Sequence, residues 1–376
     1  MMLHGDLPPV GNKISLRTTP ENRLESLLPE HQYWVDSGTS ALALALLDAK
    51  QQFPHIKKPR AIIPGYCCPD LVAACVYAGV EPVAIDIEKN DPAYQLELLR
   101  THIDERVVAI IAINFLGVRE RLMQLRELID NLGLQTRLIE DNAQWFPGSP
   151  EEMHFDADYT VFSFGRGKPL SLLGGGLLLA KTPLADSVVQ IIKLSVSRPW
   201  LLALKMRAYN LLLIPQLYLF LNRNPFIHLG ETKYSPLEAI AQLDDFRRSL
   251  LAENFNLYAQ RSSNLQQQYD QATASGLQQL EAINSVRCGR LLRYPLLCVD
   301  AATRDQLLES MRANGLGATA MYQLAIDQIN GVGDLVTVPA PLVNANAFAN
   351  RFMTLPVYSG MAVSFQKKIL SLLRSA

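Results

Sequence analysis

Short β-branched or apolar runs alternate with helix-like stretches through the N-terminal half of the chain, and this alternation restricts the fold more than any other feature. The strand-like runs are Ala61–Ile63, Val83–Ile87, Val107–Ile113, Leu138–Glu140, Tyr159–Phe164 and Gly176–Ala180. Ala41–Lys50 is rich in Ala and Leu, both good helix formers. Pro69–Ala78 opens on proline and is closed by Gly79, the usual punctuation of a helix. Leu122, Leu125, Leu128, Ile129 and Leu132 repeat at helical spacing before Gly133. Strands interleaved with helices predict a doubly wound, mostly parallel sheet. Ligands of such sheets sit beyond the carboxyl ends of the strands, so chemistry is expected just after each strand.

The pattern then changes. Trp200–Leu221 is nearly continuous apolar sequence, but Lys205, Arg207, Asn210 and Pro215 interrupt it. Mid-span charge is costly in a bilayer, so a spanning helix is not expected. A core or dimer-interface helix pair broken at Pro215 is expected, with a surface-docked amphipathic segment over 200–221 as the alternative. Ser235–Gln268 reads as one long helical region. Leu291–Val299 reads as a strand, with helices at Arg304–Asn314 and Met361–Leu373. This gives a large domain over 1–240, carrying the apolar segment 197–225, and a smaller α+β domain over 241–376. A chain of 376 residues is long enough for both.

Lys+Arg (35) and Asp+Glu (36) nearly balance, which argues against a nucleic-acid binder. Cys67, Cys68, Cys75, Cys288 and Cys298 form no CxxC pair, so neither a disulfide framework nor a zinc site is expected. With no basic-then-apolar leader at the start, a reducing, cytoplasmic setting is the simplest expectation.

Four short motifs stand at strand ends or helix starts. Asp36-Ser37-Gly38-Thr39-Ser40 precedes the Ala/Leu helix, where free N–H groups bind anions; alone it is also an ordinary N-cap. Glu140-Asp141-Asn142-Ala143-Gln144 puts an aspartate at a strand's carboxyl end, where it either faces the crevice or caps the next helix. Ser163-Phe164-Gly165-Arg166-Gly167-Lys168 places a lysine in a loop after a strand, as a solvated residue or a Schiff-base nucleophile. A phosphate-binding P-loop is excluded there, because Pro169 follows Lys168 and Phe162 replaces the first glycine. Gly174-Gly175-Gly176 allows close packing against a cofactor or another loop, or makes a plain turn.

The order and spacing of these motifs resemble the DegT/DnrJ/EryC1/StrS aminotransferases, a branch of the fold-type-I pyridoxal-phosphate (PLP) enzymes. Ser37-Gly38-Thr39 resembles the family's SGT phosphate motif. Pro64-Gly65-Tyr66 and Tyr77-Ala78-Gly79-Val80-Glu81-Pro82-Val83 leading to Asp86 resemble its PxY and YAGxxPVxxD stretch. Glu140–Gln144 resembles EDxAQ, and Ser163-Phe164 with Lys168 resembles SFxxxK. Gly315-Leu316-Gly317 with Tyr322, and Leu355-Pro356-Val357-Tyr358, resemble the small-domain signatures.

The resemblance implies that Lys168 bonds PLP covalently and then serves as base and acid of the proton shift, while Asp141 pairs with the pyridinium nitrogen. It implies that Gln144 holds the ring or its oxygen, and that Ser163 with the Gly38-Thr39-Ser40 backbone holds the phosphate. Cys68 stands where the family often has an aromatic residue stacked on the ring, and Tyr66 is a candidate substitute. Asn114 replaces a usual histidine. Gly230-Glu231-Thr232-Lys233-Tyr234 replaces the family's NYR segment.

The resemblance further implies a homodimer that moves an amino group, with glutamate as expected donor, to a keto-sugar on a nucleotide carrier, for polysaccharide or secondary-metabolite synthesis. Rival expectations are a non-sugar acceptor, a dehydratase, or a silent PLP-fold binding module. Sugar dehydratases resembling this family replace the lysine with histidine, so Lys168 favours transamination.

Overall fold

A computed structural model describes residues 5–18, 23–29, 31–222, 232–272, 277–278, 280 and 289–375. The alternation becomes a seven-stranded sheet. Its strands are β1 (His31–Val35), β2 (Arg60–Pro64), β3 (Glu81–Ile85), β4 (Val107–Ile113), β5 (Arg137–Asp141), β6 (Tyr159–Ser163) and β7 (Gly176–Ala180). The order is β1-β7-β6-β5-β4-β2-β3. β2 to β6 run parallel, β7 is antiparallel to β6, and β1 is antiparallel to β7. The parallel strands are buried along nearly their whole length, which explains their continuous apolar sequence.

Helices α1 (Arg23–Leu27), α2 (Gly38–Gln51), α3 (Asp70–Ala78), α4 (Leu96–His102) and α5 (Leu122–Asn131) complete this half. α2 buries Ala41, Ala43, Ala45 and Ala49 together with Leu42, Leu44 and Leu46, and its small residues let it lie close against the sheet. The strand order reverses between β2 and β4, which opens a crevice at their carboxyl ends. The sequence had no expected element at β1 or α4. β1 is a half-buried edge strand without clean alternation, and α4 has only seven residues.

Beyond β7 come α6 (Asp186–Val189), α7 (Pro199–Leu212), α8 (Pro215–Asn222), α9 (Asp245–Ala259) and α10 (Asn264–Ala272). Two expectations need correction here. The long helix over Ser235–Gln268 does not form. Backbone at 240–243 is spent on neighbouring segments: the amide of Asp36 donates to Ala241 (2.9 Å), Lys193 to Ile240 (2.9 Å) and Leu243 to Trp34 (3.1 Å). α9 starts only where Asp244 caps Arg247, and a break at 260–263 separates it from α10. Although α9 lies beyond residue 240, its Leu250, Leu251 and Phe255 share a core with Phe162 and Leu177 of the large sheet.

The apolar segment does split at Pro215, the first residue of α8. It is not a core pair, however: Met206 and Leu213 are buried, while Trp200, Leu204, Leu211 and Phe220 remain exposed.

A second, antiparallel sheet pairs β8 (Leu277–Gln278), β9 (Tyr294–Cys298) and β10 (Phe352–Leu355) in the order β10-β9-β8. Helices Ala301–Ala313, Val343–Arg351 and Val363–Ser375 accompany it. Its core includes Tyr269, Tyr294, Leu296, Met311, Leu355 and Ile369. The N-terminal segment stitches the cores together. Leu7 packs in this small core, Val10 in the core around α2, and Ile14 in the core under β6 and β7.

Candidate active site

The carboxyl ends of β2, β4, β5 and β6 and the N-terminus of α2 converge on one pocket with about 550 Å³ of empty space. Gly38, Thr39, Cys68, Asp141, Gln144, Ser163 and Lys168 all line it, together with Phe115, Asp70 and Tyr322. Of the residues expected from sequence to bind the cofactor, Ser40 is not in the lining. Its hydroxyl donates to Asp36 (2.6 Å), and its amide is capped by the Ser37 hydroxyl (3.0 Å). Ser40 therefore builds the loop. Thr39, with its amide free of any partner inside the helix, faces the pocket.

Two close approaches shape this end. A Cβ on Gly38 would lie 2.7 Å from the Ser163 Cβ, so glycine is what lets the helix start sit on the β6 terminus. A Cβ on Gly176 would lie 2.2 Å from the Ser37 carbonyl oxygen. The triple glycine thus packs against another loop, and the Gly175 amide donates to the Asp36 carbonyl (2.6 Å).

Asp141 ends β5. The Ala143 amide donates to its Oδ1 (2.8 Å), and its second oxygen accepts no hydrogen bond among the described residues. Burial raises its pKa, opposed by the Ala143 amide and by the charge of Lys168. A desolvated carboxylate with one oxygen uncommitted is suited to a cationic ring nitrogen. Lys168 sits in a turn whose amide donates to Gly165 (3.3 Å), with Gly167 at φ +70°. Arg247 clamps the loop that follows, donating to the carbonyls of Leu172 (3.0 Å) and Leu173 (3.3 Å). Nothing in the sequence marked Arg247 as a clamp, because the two carbonyls it holds lie more than seventy positions away.

Gln144 is held at both ends. The Leu116 amide donates to its Oε1 (2.9 Å), and its Nε2 donates to the Tyr322 hydroxyl (3.0 Å). This ties the small-domain signature residue Tyr322 to the β5 loop. Cys68 and Tyr66 part company. Cys68 faces the pocket, and burial pushes its thiol up to about 12. Tyr66 is fully enclosed by Phe115, Tyr322, Phe348 and Phe352, and its hydroxyl donates to the Tyr322 carbonyl (2.9 Å).

Asn114, at the family's histidine position, lies under the site. It donates to Glu140 (2.7 Å), and the Glu120 amide donates to its Oδ1 (3.0 Å). Glu140 is completely buried with Arg119 3.5 Å away, and burial raises its pKa. Asp86 is structural: it accepts from the amides of Asn344 and Ala345 (2.8 Å each), fixing the start of helix Val343–Arg351. Of the Gly230–Tyr234 segment, Gly230 and Glu231 lie outside the described residues, as does Cys288.

The donor set fits PLP. One lysine and one buried carboxylate face the same pocket, a helix N-terminus and a serine hydroxyl suit a phosphate, and glycine keeps that corner open.

Comparisons with known proteins agree with this fold. The fold matches DesV of S. venezuelae with a TM-score of 0.69 and 19% identity, over 96% of this chain and 90% of that one. It matches a DegT DnrJ EryC1 StrS aminotransferase from Brucella abortus with a TM-score of 0.68 and 17% identity, over 96% and 91%. Spr1654 of Streptococcus pneumoniae, solved in PLP and PMP forms, matches with a TM-score of 0.67 and 17% identity for the PLP form, over 100% and 92%. GDP-perosamine synthase of Vibrio cholerae is 26% identical over 160 residues, so the match spans only 42% of either chain. The model of the DegT/DnrJ/EryC1/StrS aminotransferase family matches residues 25–199 and 241–374, most of the chain. The chain belongs to the DegT/DnrJ/EryC1/StrS aminotransferase family, whose members work with pyridoxal phosphate.

Proposed function

We propose that this chain is an aminotransferase that moves an amino group from glutamate to the keto group of a nucleotide-linked sugar, acting as a cytoplasmic homodimer in polysaccharide or secondary-metabolite synthesis. The observation that carries the reading is the meeting of Lys168 and Asp141 in one pocket at the sheet's carboxyl edge. The family, and the sugar-acting relative matched over part of the chain, support the sugar acceptor.

PLP, when bound, supplies an electron sink for the carbon that loses its proton. Asp141 would hold the ring nitrogen in its protonated form, using the oxygen left free by Ala143. Lys168 would hold the cofactor and then carry the proton between the two carbons concerned. Thr39, Gly38 and Ser163 would seat the phosphate. Gln144 would keep the ring edge in register, since both ends of its amide are already fixed. Cys68 would pack as a neutral thiol, because its raised pKa keeps it protonated at neutral pH.

The test is a visible absorbance spectrum of the protein with PLP, before and after glutamate, beside Lys168→Ala. A Schiff-base band that bleaches with glutamate and is missing from the variant is expected. A band that ignores glutamate would overturn the donor assignment, and the absence of any band would overturn the aminotransferase reading.

A further inference from the structure

The helix pair α7–α8 is used by neither the pocket nor the proposed reaction. The family model skips residues 200–240, so the pair lies outside the shared family pattern. Its inward side is occupied. Met206 is buried, and Asn210 brackets Ile14 with two hydrogen bonds of 2.8 Å. The outward side is a stripe at helical spacing: Trp200, Leu204, Arg207 and Leu211. Trp200 is 65% exposed, Leu204 55% and Leu211 57%, and α8 adds Phe220 at 66%. Single exposed apolar residues are ordinary, but a contiguous stripe of them marks a contact surface.

Charge narrows what that contact is. Lys193, Arg198, Lys205 and Arg207 are all exposed on or just ahead of α7. No acidic residue occurs between Asp186 and Glu231.

We propose that the outer face of α7–α8 docks peripherally on an anionic lipid bilayer, with Trp200, Leu204, Leu211 and Phe220 entering the interface and the lysines and arginines meeting headgroup phosphates. Apolar and aromatic side chains flanked only by cations suit such a surface. No helix of the described residues is long and apolar enough to cross a membrane, so the contact is a surface one. A second copy is the poorer occupant: about a two-fold axis the patch would meet itself and set its own cations together. The inner face of α7 also nears the catalytic loop, where the Arg166 charge acts on the Tyr209 hydroxyl. The docking surface therefore lies about one helix diameter, roughly 10 Å, from the loop that carries Lys168. The proposal goes beyond the aminotransferase reading and stands without it.

The test is co-sedimentation of the PLP-loaded protein with vesicles of phosphatidylcholine alone, or of equimolar phosphatidylcholine and phosphatidylglycerol. Binding is expected only to the mixed vesicles and should weaken with salt. Tryptophan emission should shift to the blue on binding, and Trp200→Phe should remove the shift without removing binding. Lys205→Glu/Arg207→Glu and Trp200→Ser/Phe220→Ser should each lower partitioning at least about tenfold, with unchanged melting and an unchanged PLP band. No binding to mixed vesicles at low salt would overturn the proposal, as would variants that bind as well as the parent. Loss of dimers in Trp200→Ser/Phe220→Ser with vesicle binding intact would overturn it in favour of a second copy. The emission shift reads docking in the unsubstituted protein, so a variant that fails to fold leaves the test standing.

Discussion

The pocket around Lys168 and the helix pair α7–α8 treat their side chains in opposite ways. In the pocket, polar groups are buried and committed: Gln144 is fixed at both amide ends and Asp141 at one oxygen, while Ser40 behind the lining is fixed at hydroxyl and amide. On the helix pair, the apolar groups Trp200, Leu204, Leu211 and Phe220 are exposed. The first arrangement spends stability to hold chemistry in place. The second leaves solvation cost on the surface, where only another body can recover it. The contrast follows the family boundary, since the pocket lies inside the matched residues and the pair outside.

The largest effect that sharpens this contrast belongs to Lys168→Ala. Removing the proton carrier should cost on the order of 10²–10⁴-fold in amino transfer, or more where the covalent link also matters. Steady-state rates with saturating PLP measure it, and a loss below about tenfold would break the assignment.

Asp141→Asn comes next. Deleting one charged hydrogen bond should lower the rate by about 10- to 100-fold. Its effect on the cofactor-free protein should run the other way. The folded pKa of Asp141 lies above its unfolded value, so the folded state holds the extra proton and the group favours unfolding once pH rises through that range. Asn should therefore raise the stability of the cofactor-free protein at neutral pH and leave it little changed below the ordinary carboxylate range. Urea titrations at both pH values decide this.

Tyr66→Phe should cost about 1–3 kcal/mol, because the Tyr322 carbonyl loses its buried donor. The smallest effect is expected outside the pocket. Trp200→Ser/Phe220→Ser should change stability by no more than about 0.5 kcal/mol per site in vesicle-free solution. A larger loss would mean that the pair is a packed part of the fold and would erase the contrast.

Much of the site was legible because its chemistry rides on contiguous stretches at strand ends. Glu140–Gln144 delivers three pocket residues from one segment and Ser163–Lys168 two. What was not legible depends on partners far along the chain. Asp86 matches a family pattern, yet its work is to cap a helix more than 250 positions later. The division of labour between Cys68 and Tyr66 turns on an aromatic cluster drawn from Phe115, Phe348 and Phe352. Ser40 looked like a phosphate donor until the helix phase turned it inward. The helix over Ser235–Gln268 failed for the same kind of reason, since local periodicity gave way to backbone pairing with Asp36 and Lys193.

The N-terminal segment has a consequence in time. Leu7 settles among Leu316, Met353 and Leu355, and its amide donates to the Gly315 carbonyl (2.8 Å). Those partners follow Leu7 by more than 300 positions, so they leave the ribosome tens of seconds after it at ordinary translation speeds. The strands of the large sheet can pair while synthesis continues, but Leu7 must wait, unpacked and apolar, for partners from Gly315 onward. For that interval the segment around Leu7 is open to a chaperone or a protease.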